Sequence, residues 1–63
     1  MNYTVTFEDD GRYYVKGFDN EKGFHFDYKG SAVARAIELC KNAGGSYVLV
    51  YGTHGKITDK LPC

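Results

Sequence analysis

Two histidines, two cysteines and one acidic turn are the residues through which this 63-residue chain could do acid–base, metal or thiol chemistry. His25 precedes Asp27 by two positions, a spacing that puts both on one face of an extended segment, where a carboxylate can orient an imidazole as a general base. Such work also needs a concave setting and a group that perturbs the base. Neither is marked here, so the pair reads as a solvated surface contact. His54 falls in a turn between Thr53 and Gly55, where tolerance of left-handed backbone is enough to explain it. The run Glu8-Asp9-Asp10-Gly11 has the acidity of a calcium loop without the spaced ligands or the closing bidentate glutamate. Gly52-Thr53-His54-Gly55-Lys56 has the glycines and lysine of a phosphate-binding loop, but a short strand follows it and not a helix whose N-terminus would hold the anion. Cys40 and Cys63 have the spacing of neither a metal site nor a redox pair. Cys40 is expected to be a small core residue and Cys63 a loose free thiol. These residues point to no catalytic group, no metal and no cofactor.

One helix and the strands around it must position them. Between Ser31 and Gly45, the residues Ala32, Val33, Ala36, Ile37, Leu39, Cys40 and Ala43 fall within an arc of about 160° at helical spacing, with Arg35, Glu38, Lys41 and Asn42 opposite. That pattern predicts a half-buried helix over 32–43. Ser31 is suited to accept a backbone N–H as N-cap, and Gly44 or Gly45 to close the C-terminus in the left-handed conformation.

Ahead of the helix, residues 1–7 alternate, with Tyr3, Val5 and Phe7 on one face and Thr4 and Thr6 on the other. Asp10-Gly11 signals a hairpin, and 12–18 sets Tyr13 and Val15 against Tyr14, Lys16 and Phe18. After a polar turn at 19–23, Phe24, Phe26 and Tyr28 are expected to point inward and His25, Asp27 and Lys29 outward. Beyond the helix, Tyr47-Val48-Leu49-Val50-Tyr51 is an unbroken β-prone run, which suggests burial on both sides. Residues 56–58 pair back as a short edge strand, and Pro62 ends the ladder. The expected fold is a single α+β domain over residues 1–63, an antiparallel β-sheet packed on one α-helix in the order β-β-β-α-β-β.

Eight basic and eight acidic side chains cancel, with −2 over residues 1–30 and +2 over 31–63, so no global field gathers a polyanion. A small sheet backed by one helix has a shape that enters a major groove, and Arg12, Tyr14, Lys16 and Phe18 face outward. Nucleic-acid binding through the outer sheet face is therefore the alternative function. Zero net charge disfavours it, as does the interleaving of Lys16 and Lys22 with Asp19, Glu21 and Asp27. A chain this short buries only roughly 60% of its unfolded surface. It gains from a protein partner or a second copy, and a homodimer through an edge strand, at 56–58 or along the first strand, is the simplest pairing. No apolar run approaches the roughly 20 residues of a membrane span, and neither a signal peptide nor a disulfide framework is marked, which makes the cytoplasm the expected location.

Six tyrosines and four phenylalanines are more than one small core can hide. Tyr and Phe left on a sheet face supply large contact area at low entropy cost. The expectation is a non-catalytic binding or regulatory module that acts by stoichiometric protein–protein interaction, with Tyr14, Phe18 and Tyr51 as contacts and Lys16 and His25 at the rim.

The run Ala34-Arg35-Ala36-Ile37-Glu38-Leu39, followed by Gly44-Gly45, Val48-Leu49-Val50 and Gly52-Thr53-His54-Gly55-Lys56-Ile57, resembles a family of small uncharacterised prokaryotic and phage proteins, the domain of unknown function numbered twenty-one eighty-eight. Tyr13-Tyr14-Val15-Lys16 lies where that family shows a tryptophan, a small residue, valine and lysine, and His54 where it has Asp before Gly. The likeness runs from the second strand to Ile57. It implies a compact sheet-and-helix module of bacteria and their mobile elements, with no known catalytic residue, cofactor or substrate. A phage- or mobile-element-encoded inhibitor of a host enzyme or defence complex is one concrete role for such a module.

Overall fold

The computed structural model describes residues 2–17 and 22–63, Lys22 through its backbone alone. Alternating segments become the strands β1 (Asn2–Phe7), β2 (Tyr13–Lys16), β3 (Lys22–Phe26), β4 (Tyr47–Tyr51) and β5 (Ile57–Pro62), and the apolar arc becomes the helix α1 (Lys29–Asn42). This is the expected α+β order, laid out as one sheet β3-β2-β1-β4-β5. The sheet is mixed, however, and not purely antiparallel: β1 and β4 run parallel, with Val5 opposite Val50, while the other three pairings are antiparallel. Two hairpin reversals leave β3 running with β1. A helix-long connection then returns the chain in that same direction on the free side of β1, the kind of crossover parallel pairing requires. β1 is thus the central strand and has no edge to offer a second copy; the edges are β3 and β5.

Two hairpins use one turn design. The Glu8 N–H donates to the Arg12 carbonyl at 3.0 Å and the Gly11 N–H to the Glu8 carbonyl at 3.0 Å. In the second, the Gly52 N–H donates to the Lys56 carbonyl at 2.8 Å and the Gly55 N–H to the Gly52 carbonyl at 3.1 Å. Each places a glycine at the left-handed position, Gly11 at φ 82° and Gly55, beside His54, at φ 74°, the pattern of a three-residue hairpin loop closed by a bulge.

The helix begins at Lys29, two residues before the expected N-cap. Tyr28, extended at φ −121° and ψ 139°, caps it without a side-chain hydrogen bond, and Ser31 is exposed in the first turn. Its C-terminus closes as the glycines predict: Gly44, at φ 71°, donates its N–H to the Lys41 carbonyl at 3.3 Å, and the Gly45 N–H reaches the Cys40 carbonyl at 2.8 Å.

Small residues fill the centre of the core. Val5, Val15, Val48 and Val50 of the sheet are buried beneath Ala32, Ala36 and Cys40 of α1, and Tyr3, Tyr13, Phe26, Val33, Ile37, Leu39 and Leu61 pack partly around them. The inward aromatic set is smaller than expected. Strand β3 ends at Phe26, so Tyr28 moves to the helix cap and is 75% exposed, and Phe24, on the edge strand, is 51% exposed with the Arg35 guanidinium 5.5 Å from its ring centroid. β4 is buried on one side only, through Val48 and Val50.

The cysteines depart furthest from expectation. Cys63 is not a loose thiol: it is disulfide-bonded to Cys40, with a Cα–Cα distance of 6.0 Å. Pro62 does not end the ladder, since it pairs with Tyr47 and the next residue, Cys63, donates its N–H to the Ser46 carbonyl at 3.2 Å. That bond turns the backbone of 63, 61 and 59 toward β4, so Pro62 sits where its missing N–H would have faced away from the sheet.

The Ala–Val contact makes the core sensitive to added volume. Ala36→Leu should cost about 1–3 kcal/mol by overpacking, whereas Ala34→Leu on the exposed face should stay within about 0.5 kcal/mol of wild type; urea denaturation of both variants checks the pair.

Candidate interaction face

In a pleated sheet, alternate residues point to opposite faces, and α1 covers only one of them. The register defines the other. His25, Tyr14 and Thr6 form one row across β3, β2 and β1. Lys16, Thr4, Leu49 and Lys60 form a second across β2, β1, β4 and β5, and Asn2, Tyr47 and Pro62 a third. Tyr51 follows buried Val50 and therefore lies on this face too, opposite Ile57 of β5. Five strands give a surface roughly 19 Å wide.

Four of the five expected contact residues share this face. Tyr14, Lys16 and His25 cluster on β2 and β3, and Tyr51 lies beyond Thr6 on the other side of β1. Phe18 lies outside the described residues. The Tyr14 and His25 rings are 5.9 Å apart at a tilt of 52°. The His25 ring meets Tyr14, while Asp27 Oδ1 stands 3.9 Å from Arg12 Nε. Lys16 Nζ stands 3.8 Å from Glu8 Oε2, which also accepts the Thr6 hydroxyl at 2.7 Å. The Asp10 carboxylate takes the Arg12 N–H on Oδ1 at 3.0 Å and the Tyr14 hydroxyl on Oδ2 at 2.5 Å. Arg12 and Lys16 thus stand against carboxylates, the Arg12–Asp27 pair on a surface exposed enough that it contributes little to stability.

The half built on β4 and β5 differs in kind. Lys60 Nζ lies 4.3 Å from the Tyr47 ring centroid, and Leu49, Tyr51 and Ile57 add apolar surface, Ile57 being 53% exposed. Of these only Tyr51 is singled out by sequence reasoning. The signal for the rest is period-two alternation in 47–51, obscured because Tyr and Leu on the open side are as apolar as Val on the closed one. Among the described residues, no group of three or more His, Cys, Asp or Glu is placed to hold a metal ion, and no helix is long and apolar enough to cross a membrane.

A family model described as an uncharacterised protein conserved in bacteria matches residues 3–61. The chain belongs to that family, DUF2188. No curated protein and no solved structure matches it. The DUF2188 match takes in the helix and all of the sheet except Asn2 and Pro62 at the strand ends, so most of the open face and of the covered one falls inside the family's domain.

One group on the face is electrostatically marked. The hydrogen bond that Tyr14 donates to Asp10 raises its pKa above the ordinary 10.0, and desolvation and the nearby Asp10 charge act in the same direction. Because the folded value exceeds the unfolded one, the stabilisation from this bond is complete below the unfolded value and is lost as pH rises through the folded value. The ultraviolet phenolate difference spectrum of wild type against Tyr14→Phe should therefore show Tyr14 ionising later than a free tyrosine, and Asp10→Asn should return it toward the ordinary value.

Proposed function

We propose that this DUF2188 chain is a small non-catalytic cytoplasmic module that works by stoichiometric binding to another protein through the open face of its sheet. The observation that supports this most is the face itself. Tyr14, Tyr47, Leu49, Tyr51 and Ile57 lie on the side of the sheet that α1 does not cover, with Lys16, His25 and Lys60 among and around them. Large, stiff aromatic side chains ringed by polar groups are the usual makings of a protein contact surface.

The nucleic-acid reading is weaker on the same geometry. Phosphate binding draws on unneutralised cations, whereas Arg12 and Lys16 already meet Asp27 and Glu8. Self-pairing along β5 is also disfavoured. The groups at its free edge belong to Lys60 and Pro62. A two-fold antiparallel pairing centred on Lys60 or on Asp59 opposes like charges, which destabilise a ladder. The partner proposed is a different protein. An inhibitor carried by a phage or mobile element and directed at a host enzyme or defence complex is the concrete form this takes.

Tyr14→Ala combined with Tyr51→Ala should preserve the circular dichroism spectrum and cooperative melting while abolishing capture of the wild-type partner in a pull-down from the native cell. Retained capture with a native fold would remove the face from consideration, and salt-sensitive DNA or RNA binding in a fluorescence anisotropy titration would replace the protein reading with the nucleic-acid one.

A further inference from the structure

We propose that the Cys40–Cys63 disulfide is a thiol-operated latch on β5, and that what it keeps covered is the edge of β4. The inference shares β4 and β5 with the proposed interaction face but does not depend on that face binding a partner. β5 contributes little to the core: Ile57, Thr58, Asp59, Lys60 and Pro62 are exposed, and Leu61 is its one partly buried side chain. Beyond its contacts with β4, which include the Thr58 hydroxyl donating to the Val50 carbonyl at 3.2 Å and Lys60 over Tyr47, the strand is anchored by Leu61 and by the bond from Cys63 to Cys40 of α1. Exposed ladders with few buried side chains sit at the low end of local stability.

What lies beneath has the opposite character. Tyr47-Val48-Leu49-Val50-Tyr51 is uncharged and β-prone throughout, and the bond from the Cys63 N–H to Ser46 fixes the parity by which Val48 and Val50 turn their own N–H groups toward β5. Stripped of β5, this strand would present an unpaired apolar edge, a ready template for another strand.

Burial determines how the latch opens. Cys40 is fully buried and Cys63 is a partly exposed residue, so of the two sulfurs we assign that of Cys63 to attack by a small thiolate of the glutathione class. It forms a mixed disulfide there and expels Cys40 as a thiolate, which takes up a proton. A second thiol attacks the mixed disulfide and releases Cys63. Net, one protein disulfide and two small thiols give two protein thiols and one small disulfide; closing runs the same exchange in reverse, with the small disulfide taking the two electrons.

The experiment is backbone hydrogen exchange by NMR on the oxidised protein, on protein reduced with dithiothreitol, and on Cys63→Ser without reductant, reading the amides of Val48 and Val50 against those of Thr6 and Tyr14, which join β1 to β2. Oxidised, the four should be protected within about tenfold of one another. Reduced, or in Cys63→Ser, Val48 and Val50 should exchange more than about tenfold faster than Thr6 and Tyr14. Four amides that lose protection together would make the bond a general staple and overturn the latch. So would iodoacetamide labelling of both cysteines in the oxidised protein after unfolding without reductant, a readout that holds whether or not the reduced chain folds.

Discussion

The backbone of α1 lies close to the sheet because the residues between them are Ala32, Ala36 and Cys40, none of them exposed. Four valines from β1, β2 and β4 fill the space below, and β-branched side chains stand stiffly enough on a pleated surface to make that layer thin and regular. The remaining features follow from this contact. Large rings cannot fit between helix and sheet, so Tyr3, Tyr13 and Phe26 pack at its margin, and the Phe7 and Tyr13 rings meet each other 4.9 Å apart. A single helix covers a single face, so the rows from His25 across to Ile57 are left open to solvent.

Legibility in the sequence follows the same division between local and non-local. The helix face, the glycine stop, both hairpin turns and the alternation of β1 are local patterns, and the structure has them. The direction of β4 was available too, since a helical crossover after two hairpins leaves little choice, but the antiparallel expectation treated the strands only as neighbours. The N-cap failed because Tyr28-Lys29-Gly30 carries no helix-start signal, and the actual cap makes no side-chain bond that a sequence could announce. The disulfide is non-local in the strict sense. A separation of 23 residues says nothing about proximity until β5 is known to run through Pro62 and end beside α1.

On the candidate face, Tyr14, Lys16 and His25 follow from alternation, Tyr51 stands in a run that shows none, and the register places all four on one surface. The sequence could not show how the charges pair, because Arg12 with Asp27 and Lys16 with Glu8 are contacts between neighbouring strands or across a turn. Those pairs set two of the cations among the aromatic side chains against carboxylates. The disulfide adds a second layer, since it ties the helix that closes one face to the edge strand that borders the other. A chain expected to do without covalent support thus has one cross-link, removing loop entropy from its unfolded state worth about 3 kcal/mol for a loop of this size.

The central claim is that this domain is closed on one side and open on the other. Solvent paramagnetic relaxation enhancement with a neutral gadolinium chelate tests it most directly. The side-chain signals of Thr4, Tyr14, Leu49 and Tyr51 should relax strongly, and those of Val5, Val15, Val48 and Val50 should be spared. Equal protection of the two sets at low protein concentration would show the outer rows to be covered and would contradict the account.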